Sequence, residues 1–336
     1  MTRTAARPST TTMRAIAQDS YGDAGVLRPA ERPLPRALRA DELLVRVHAA
    51  GLDRGTWHLM TGTPYAVRLV MGLRRPKQPI PGLDLAGTVA AVGTAVTRFA
   101  PGDEVYGIGT GTFAEYAVAK EDKLARKPAS LTFEQAAAVP VSAITALQAV
   151  TDLAAVRAGQ RVLVTGASGG VGSYAVQIAV AAGTEVTGVA SAAKADLVRS
   201  LGAAHVLDYA SDDFAAGPDS YDVIIDIAGN ASLSRLRRAL TPRGTAVLVG
   251  GEDAGRLTGM SRQLRALVVS LFVGQRLTLR IPKESASDLE RLSVLIEAGH
   301  VTPSVGATYP LADAAEAMRR LVAGHVRGKV AITVLP

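Results

Sequence analysis

The run VLVTGASGGVG, Val162 to Gly172, restricts the fold of this chain more than any other stretch. Val162, Leu163 and Val164 form an apolar, mostly β-branched run, and Gly166, Gly169 and Gly172 follow at intervals of three, with Gly170 adding a fourth glycine. Val171, Ala175, Ile178 and Ala182 then recur at spacings of four, three and four, the repeat of one helical face. Strand, glycine turn and helix in that order give a glycine motif its meaning. A pyrophosphate over the helix N-terminus takes hydrogen bonds from backbone N–H groups that the helix leaves unpaired, and the helix dipole favours its charge. Side chains at these glycines would hold phosphates away or strain a left-handed turn. The spacing is Gly-x-x-Gly-x-x-Gly rather than the commoner Gly-x-Gly-x-x-Gly. An ordinary Gly-rich loop is the plainer alternative; the flanking strand and helix favour a nucleotide.

The next strand, EVTGVA (Glu185 to Ala190), indicates which nucleotide. An NAD site usually ends this strand with Asp or Glu on the ribose hydroxyls. Here it runs into Ala190 and Ser191, with Lys194 three residues on. No carboxylate repels a 2′-phosphate, and a hydroxyl and an ammonium are placed to receive one. Lys194 also reads as a solvated first-turn residue; presence and absence together favour NADP(H).

The chain's 336 residues suffice for two domains with cores of their own. The net charge of +7 is diffuse, without a basic block or interleaved aromatics, so nucleic acid is not the expected partner. The absence of cysteine removes disulfides, thiol catalysis and Cys-ligated zinc. No apolar run reaches the length of a membrane span; the longest candidate, Ala266 to Gly274, is flanked by Arg265 and Arg276. No membrane partner is expected, and a cytoplasmic location is. Residues 1–12 are Thr-rich, with two arginines and no acid, and read as a disordered tail.

From Met13 to about residue 130, short alternating segments such as LLVRVHAAG and AGTVAAVG are broken by Gly and Pro. They predict a β-rich domain, a small partly open barrel. Between Trp57 and Pro81 the chain is irregular and carries Arg68, Arg74, Arg75 and Lys77; it reads equally as the rim of a substrate cleft or as solvated surface. From Glu134 to Val150 the pattern is helical, with Pro140 capping or kinking it and Ser130 and Glu134 near capping-box spacing. The strands HVLDY, DVIIDIAG and AVLVGG then alternate with helices, which predicts a parallel, doubly wound α/β sheet with ligands at its carboxyl ends. Gln275–Ile281 alternates as an edge strand, a surface that invites a second copy and suggests a homodimer. The final strand, Lys329 to Val334, is expected to return to the first domain's sheet.

The blocks PGLDLAGTVAAVG, FAPGDEVYG, FAEYA, AAAVPVSAITALQA, VLVTGASGGVGSYAVQIA, LGAAHVLDY and GHVRGKVAITV, in that order, resemble the zinc-independent medium-chain dehydrogenase/reductase superfamily, in its NADPH:quinone oxidoreductase-like branch. The resemblance runs from about Met13 to Val334. It implies a GroES-like catalytic domain from residues 13–133 and 300–336, a Rossmann NADP-binding domain from 134–299, and a cofactor in the cleft between them. Zinc members carry Cys where this chain has Asp53, and His-Glu where it has Leu83-Asp84. Hydride transfer from NADPH to an acceptor that needs no Lewis acid is what remains: a quinone, or an alkene conjugated to a carbonyl. The family pattern implies diphosphate contacts at Ser168, Gly169, Gly170 and Val171. It implies 2′-phosphate contacts at Ser191 and Lys194, with Tyr209 beside the ribose. Thr145 matches a threonine near the nicotinamide amide. Ala228, Gly250 and Gly251 match backbone positions along the dinucleotide, and Lys329 a basic residue near the cleft.

Asp53, His58 and Tyr65 are the candidates for substrate contact or proton donation. Each has a structural alternative: Asp53 as a helix N-cap, His58 as a satisfied surface histidine, Tyr65 as loop packing. Two other functions compete with the quinone or enone reductase. One is an enoyl-thioester reductase whose Arg68, Arg74, Arg75 and Lys77 receive a phosphorylated carrier. The other is a low-turnover NADPH-binding protein with a structural or RNA-associated role.

Overall fold

The computed structural model describes residues 11–335 except 36, 218–219, 251–259 and 280–282. Contacts divide the chain into two units: Met1–Val141 with Glu284–Glu297 and Pro303–Pro336, and Ser142–Lys283 with Ala298–Thr302. Strands β1 (Thr12–Ala17), β2 (Arg28–Pro33), β3 (Glu42–Leu52), β4 (Asp84–Val92), β5 (Glu104–Thr110) and β6 (Tyr116–Arg126) belong to the first unit. Strands β7 (Arg161–Thr165), β8 (Glu185–Ala190), β9 (His205–Asp208), β10 (Tyr221–Asp226), β11 (Leu240–Leu248) and β12 (Arg276–Leu279) form the second. The chain then returns to the first unit with β13 (Val305–Pro310) and β14 (Lys329–Thr333). In chain order the helices are α1 (Arg54–Thr61), α2 (Val67–Met71), α3 (Phe133–Ala137), α4 (Pro140–Leu147), α5 (Gly170–Ala181), α6 (Ala195–Ser200), α7 (Leu233–Ala239), α8 (Ser261–Ser270), α9 (Ala286–Glu297) and α10 (Ala314–Val322).

The first unit is built on β3. It pairs antiparallel with β4, with β6 and with β14, so β3 to β6 close on themselves and β14 and β13 extend the sheet. Pairing on both sides explains why β3 is buried almost throughout, with Arg46 alone exposed. Leu43, Val45, Val47, Leu85, Val89, Leu124 and Ile332 fill the interior. The expected helix from Glu134 is two: α3 stops at Ala137, and Pro140 opens α4, a first-turn position where its missing N–H costs nothing. Thr132, not Ser130, makes the capping box. Its hydroxyl accepts from Gln135 N at 3.2 Å, and Gln135 Oε1 accepts from Thr132 N at 3.0 Å. Two hydroxyl residues lie within one turn, and only Thr132 stands three residues before an amide that can reach back.

The second unit is a six-stranded sheet in the order β12-β11-β10-β7-β8-β9, parallel throughout. Strand order reverses between β7 and β10, the switch point where such sheets take ligands. Strand β8 spans the predicted Glu185–Ala190. Strand β11 starts earlier than expected, at Leu240, and carries Pro242 and Gly244 inside it. Strand β12 is the outer strand, covering Arg276–Leu279 of the expected Gln275–Ile281; 280–281 lie outside the described residues. No helix among the described residues is long and apolar enough to cross a membrane.

The division differs from the expected 134–299 in placing 134–141 and α9 with the first unit and 300–302 with the second. Tyr106, buried in β5, donates its hydroxyl hydrogen to Leu289 O at 2.7 Å and lies 2.9 Å from Ser293 Oγ. Desolvation raises the Tyr106 pKa well above the usual phenol range, so it remains a donor. Tyr106→Phe is expected to cost about 1–2 kcal/mol by leaving α9 groups unpaired, read as a lower urea midpoint at unchanged slope.

Candidate active site

Strand β7 delivers the chain to a turn that only small residues fit. Gly166 has φ +67°, a left-handed conformation that glycine adopts without strain. A Cβ on Gly172 would stand 2.1 Å from Gly166 O, so the first turn of α5 lies directly on the preceding loop. Gly169 caps α5 without a side-chain hydrogen bond. The first-turn N–H groups of Gly170, Val171 and Gly172 therefore have no partner within the helix or from its cap, the arrangement a phosphate fills. Ser168 is buried beside them.

The neighbouring strand ends converge on the same place. Thr165 Oγ1 donates to Asp226 Oδ1 at 2.8 Å and accepts from Ile227 N at 3.0 Å and Ala228 N at 3.1 Å. A Cβ on Gly166 would meet Ala228 N at 3.3 Å, and one on Gly250 would lie 2.0 Å from Ile227 O. Gly166, Ala228 and Gly250 thus form one bare-backbone edge; Gly251 lies outside the described residues. Asp226, fully buried, also takes the Arg262 guanidinium, whose Nε donates to Ala231 O at 2.9 Å. Sequence reasoning missed Thr165, Asp226 and Arg262. The signal for Asp226 was a carboxylate closing the apolar run VIID.

At the ends of β8 and β9, Ala190 pairs with Asp208, and Tyr209 N donates to Ala190 O at 3.1 Å. Lys194 N donates to Ser191 O at 2.9 Å. Ser191, Lys194 and the exposed Tyr209 are thereby gathered at one strand end, where β8 itself supplies no carboxylate. Thr145 is a buried residue of α4 in the same unit.

The three catalytic candidates fall in the first unit. Asp53 caps α1, accepting from Thr56 N at 2.7 Å through Oδ1. His58 Nδ1 lies 2.7 Å from Thr63 O, and its ring stands edge-on to Trp57. Tyr65 is largely exposed, with the Arg68 guanidinium 4.9 Å from its ring centroid. No hydrogen bond joins these three among the described residues. The structure instead brings Asp53 together with Lys329 and Asp84. Lys329, whose side chain is 1 % exposed, places Nζ 3.4 Å from Asp84 Oδ2 and 4.0 Å from Asp53 Oδ2. Asp84 also accepts from Val141 N at 2.9 Å. Gly51 makes the room, since a Cβ there would come within 2.8 Å of Asp84 Oδ2. Oδ2 of the buried Asp53 has no hydrogen-bond partner among the described residues. Burial pushes the Asp84 pKa up to about 7, the Lys329 ammonium opposes that rise, and the Asp53 carboxylate adds to it. Lys329, expected near the cleft, is a buried counter-charge to two carboxylates. With no cysteine in the chain, and an ammonium between Asp53 and Asp84, these residues do not make a zinc ligand set.

Residues 39–129 match the family described as the alcohol dehydrogenase GroES-like domain, and residues 201–332 the family described as zinc-binding dehydrogenase. The chain is 33 % identical to a chloroplastic quinone-oxidoreductase homolog of Spinacia oleracea, covering 95 % of this chain and 98 % of the relative. It is similar to the structure of the quinone oxidoreductase from Coxiella burnetii, with TM-score 0.84 and 29 % identity over 96 % of this chain and 99 % of that one. A mycobacterial structure complexed with NADPH gives TM-score 0.80 at 28 % identity over 96 % of this chain and all 100 % of the other.

The carboxylate cluster has a consequence for pH. Unfolded, Asp84 titrates near ~3.9; folded, near 7. Between those values the folded chain binds more protons, so Asp84's contribution to stability is full below the unfolded pKa and is lost as pH rises through the folded one. Asp84→Asn is expected to flatten the fall in urea midpoint between weakly acidic and neutral pH. An unchanged slope would assign that fall to other groups.

Proposed function

The chain belongs to the medium-chain dehydrogenase/reductase superfamily, in its quinone-oxidoreductase-like branch, and from that premise we propose that it is an NADPH-dependent reductase of quinones or carbonyl-conjugated alkenes that works without zinc. The observation that carries this reading is the uncapped start of α5 against Gly166, together with a β8 end that offers Ser191 and Lys194 and no carboxylate. The nicotinamide, when bound, supplies the hydride.

The chain's own residues bind and orient. The N–H groups at Gly170, Val171 and Gly172 face the diphosphate, with Ser168 and Gly169 shaping the turn. Ser191 and Lys194 take the 2′-phosphate, with Tyr209 beside the ribose. Ala228 and Gly250 give the dinucleotide a backbone edge, and Thr145 serves the amide of the nicotinamide. Lys329 sets one buried ammonium against the Asp84 and Asp53 carboxyl groups. Of the three catalytic candidates, Asp53 alone retains a buried oxygen without a hydrogen-bond partner among the described residues, and it is the one we assign to substrate contact. His58 and Tyr65 are engaged by Thr63 and Arg68. The same proposal places the enzyme in the cytoplasm.

A homodimer through the outer strand β12 completes the proposal. Helix α8, packed beside β12, exposes Leu264 and Val268, with Leu271 and Phe272 just past its end, a run that a second copy would cover. Phe272→Asp is expected to yield a monomer in sedimentation velocity, and an unchanged dimer would move the interface elsewhere. Lys194→Ala is expected to weaken NADPH about tenfold, the effect of one half-buried charge-assisted contact, and NADH little. Equal losses for the two cofactors would remove the 2′-phosphate role. NADPH oxidation against a panel of quinones and enones tests the reaction itself.

A further inference from the structure

Between Arg54 and Leu83 the chain carries Arg54, Arg68, Arg74, Arg75 and Lys77 and no Asp or Glu. Within this stretch Leu69, Val70 and Leu73 stand 72 %, 72 % and 68 % exposed. Three large aliphatic side chains on one short segment are not what a solvated connector presents. The backbone beneath them is held from several sides. Tyr21 Oη donates to Gly72 O at 2.7 Å, Lys77 N to Met71 O at 2.8 Å and Lys77 Nζ to Val70 O at 2.9 Å. Arg68 Nε donates to Gly62 O at 2.9 Å, while its guanidinium lies over the rings of Tyr21 and Tyr65 at 4.6 and 4.9 Å from their centroids. Gly72, at φ +120°, makes the bend; a Cβ there would meet Arg75 O at 2.2 Å. These tethers use main chain, Tyr21, Arg68 and one hydrogen of the Lys77 ammonium, and they leave the aliphatic tips outside. Arg74 and Arg75 are exposed and make no hydrogen bond or ion pair among the described residues.

We propose that residues 65–77 form a docking surface for an anionic lipid bilayer, with Leu69, Val70 and Leu73 entering the interface and Arg74, Arg75 and Lys77 meeting headgroup phosphates. Apolar tips beside cations reproduce the layering of a bilayer face, acyl boundary below and phosphate above. Charge complementarity favours an anionic leaflet, because no carboxylate in thirty residues of chain opposes it. The lack of a spanning run bears on crossing a membrane, not on resting against one, so the proposal departs from the expectation of no membrane partner. This docking is independent of the proposed reaction, and its test does not use turnover.

The whole chain is mixed with sedimentable vesicles of phosphatidylcholine, with and without about 30 mol % phosphatidylglycerol, where each basic residue near the surface adds roughly fivefold to binding. Sedimentation with the anionic vesicles alone, weakening as salt rises, is expected. The double variant Arg74→Gln, Arg75→Gln is expected to bind about 25-fold less, two such factors. The triple variant Leu69→Ser, Val70→Ser, Leu73→Ser is expected to lose binding while keeping its far-ultraviolet circular dichroism. No sedimentation of the unaltered chain with anionic vesicles overturns the proposal. So does full binding by the triple variant, which would leave a purely cationic surface of the kind that also holds RNA.

Discussion

Backbone touches backbone at the start of α5, and the second unit is arranged around that contact. The place a Cβ would take at Gly172 is already filled by Gly166 O. Because neither residue brings a side chain, β7 can end, turn and become a helix within a few residues. The neighbouring strand ends then close in through Thr165, which ties Asp226, Ile227 and Ala228 to the same point. The bare N–H groups at the start of α5 follow from this crowding rather than from any residue that reaches for a ligand.

Each unit also buries charge, in two different ways. Asp226 has Arg262, a planar donor fork suited to a carboxylate. Asp84 and Asp53 share one lysine at longer range, so the cluster is short of positive charge and burial pushes Asp84 towards its neutral form. Buried pairs of this kind add little net stability but are costly to break, about 3–5 kcal/mol when one partner is removed. They fix which strand end faces which loop more than they hold the fold together.

Much of the architecture was legible because it rests on local periodicity. The change from alternating segments to strand–helix units marked the two kinds of sheet, and β8 and β14 lie where their patterns put them. The errors were local too: Ser130 and Thr132 are both good caps, and only backbone geometry selects Thr132. Helix α9 was assigned by its place in the sequence, whereas its allegiance is set by a tyrosine 183 residues away. The chemistry of the buried cluster was the least legible. Asp84 opens a strand and Lys329 follows a glycine turn, positions where charged residues are ordinarily solvated. Their meeting spans 245 residues, and no spacing rule reports a contact of that range. The bare-backbone edge was found through its glycines; Arg262, which secures it from another helix, carried no motif.

Strand β14 reaches the first unit last, and this orders events on the ribosome. Strands β1 to β6 emerge early, yet the Ala49–Leu52 end of β3 keeps one edge unpaired until β14 arrives to line it. Over that interval Asp53 and Asp84 have no ammonium between them. The second unit, by contrast, holds all of β7 to β12 before the last tenth of the chain is made, and can settle first. The nascent protein therefore passes through a stage with a finished parallel sheet and a first unit whose β3 still shows a bare edge beside two unpaired buried carboxylates, a nearly complete molecule that a chaperone would still recognise as unfinished.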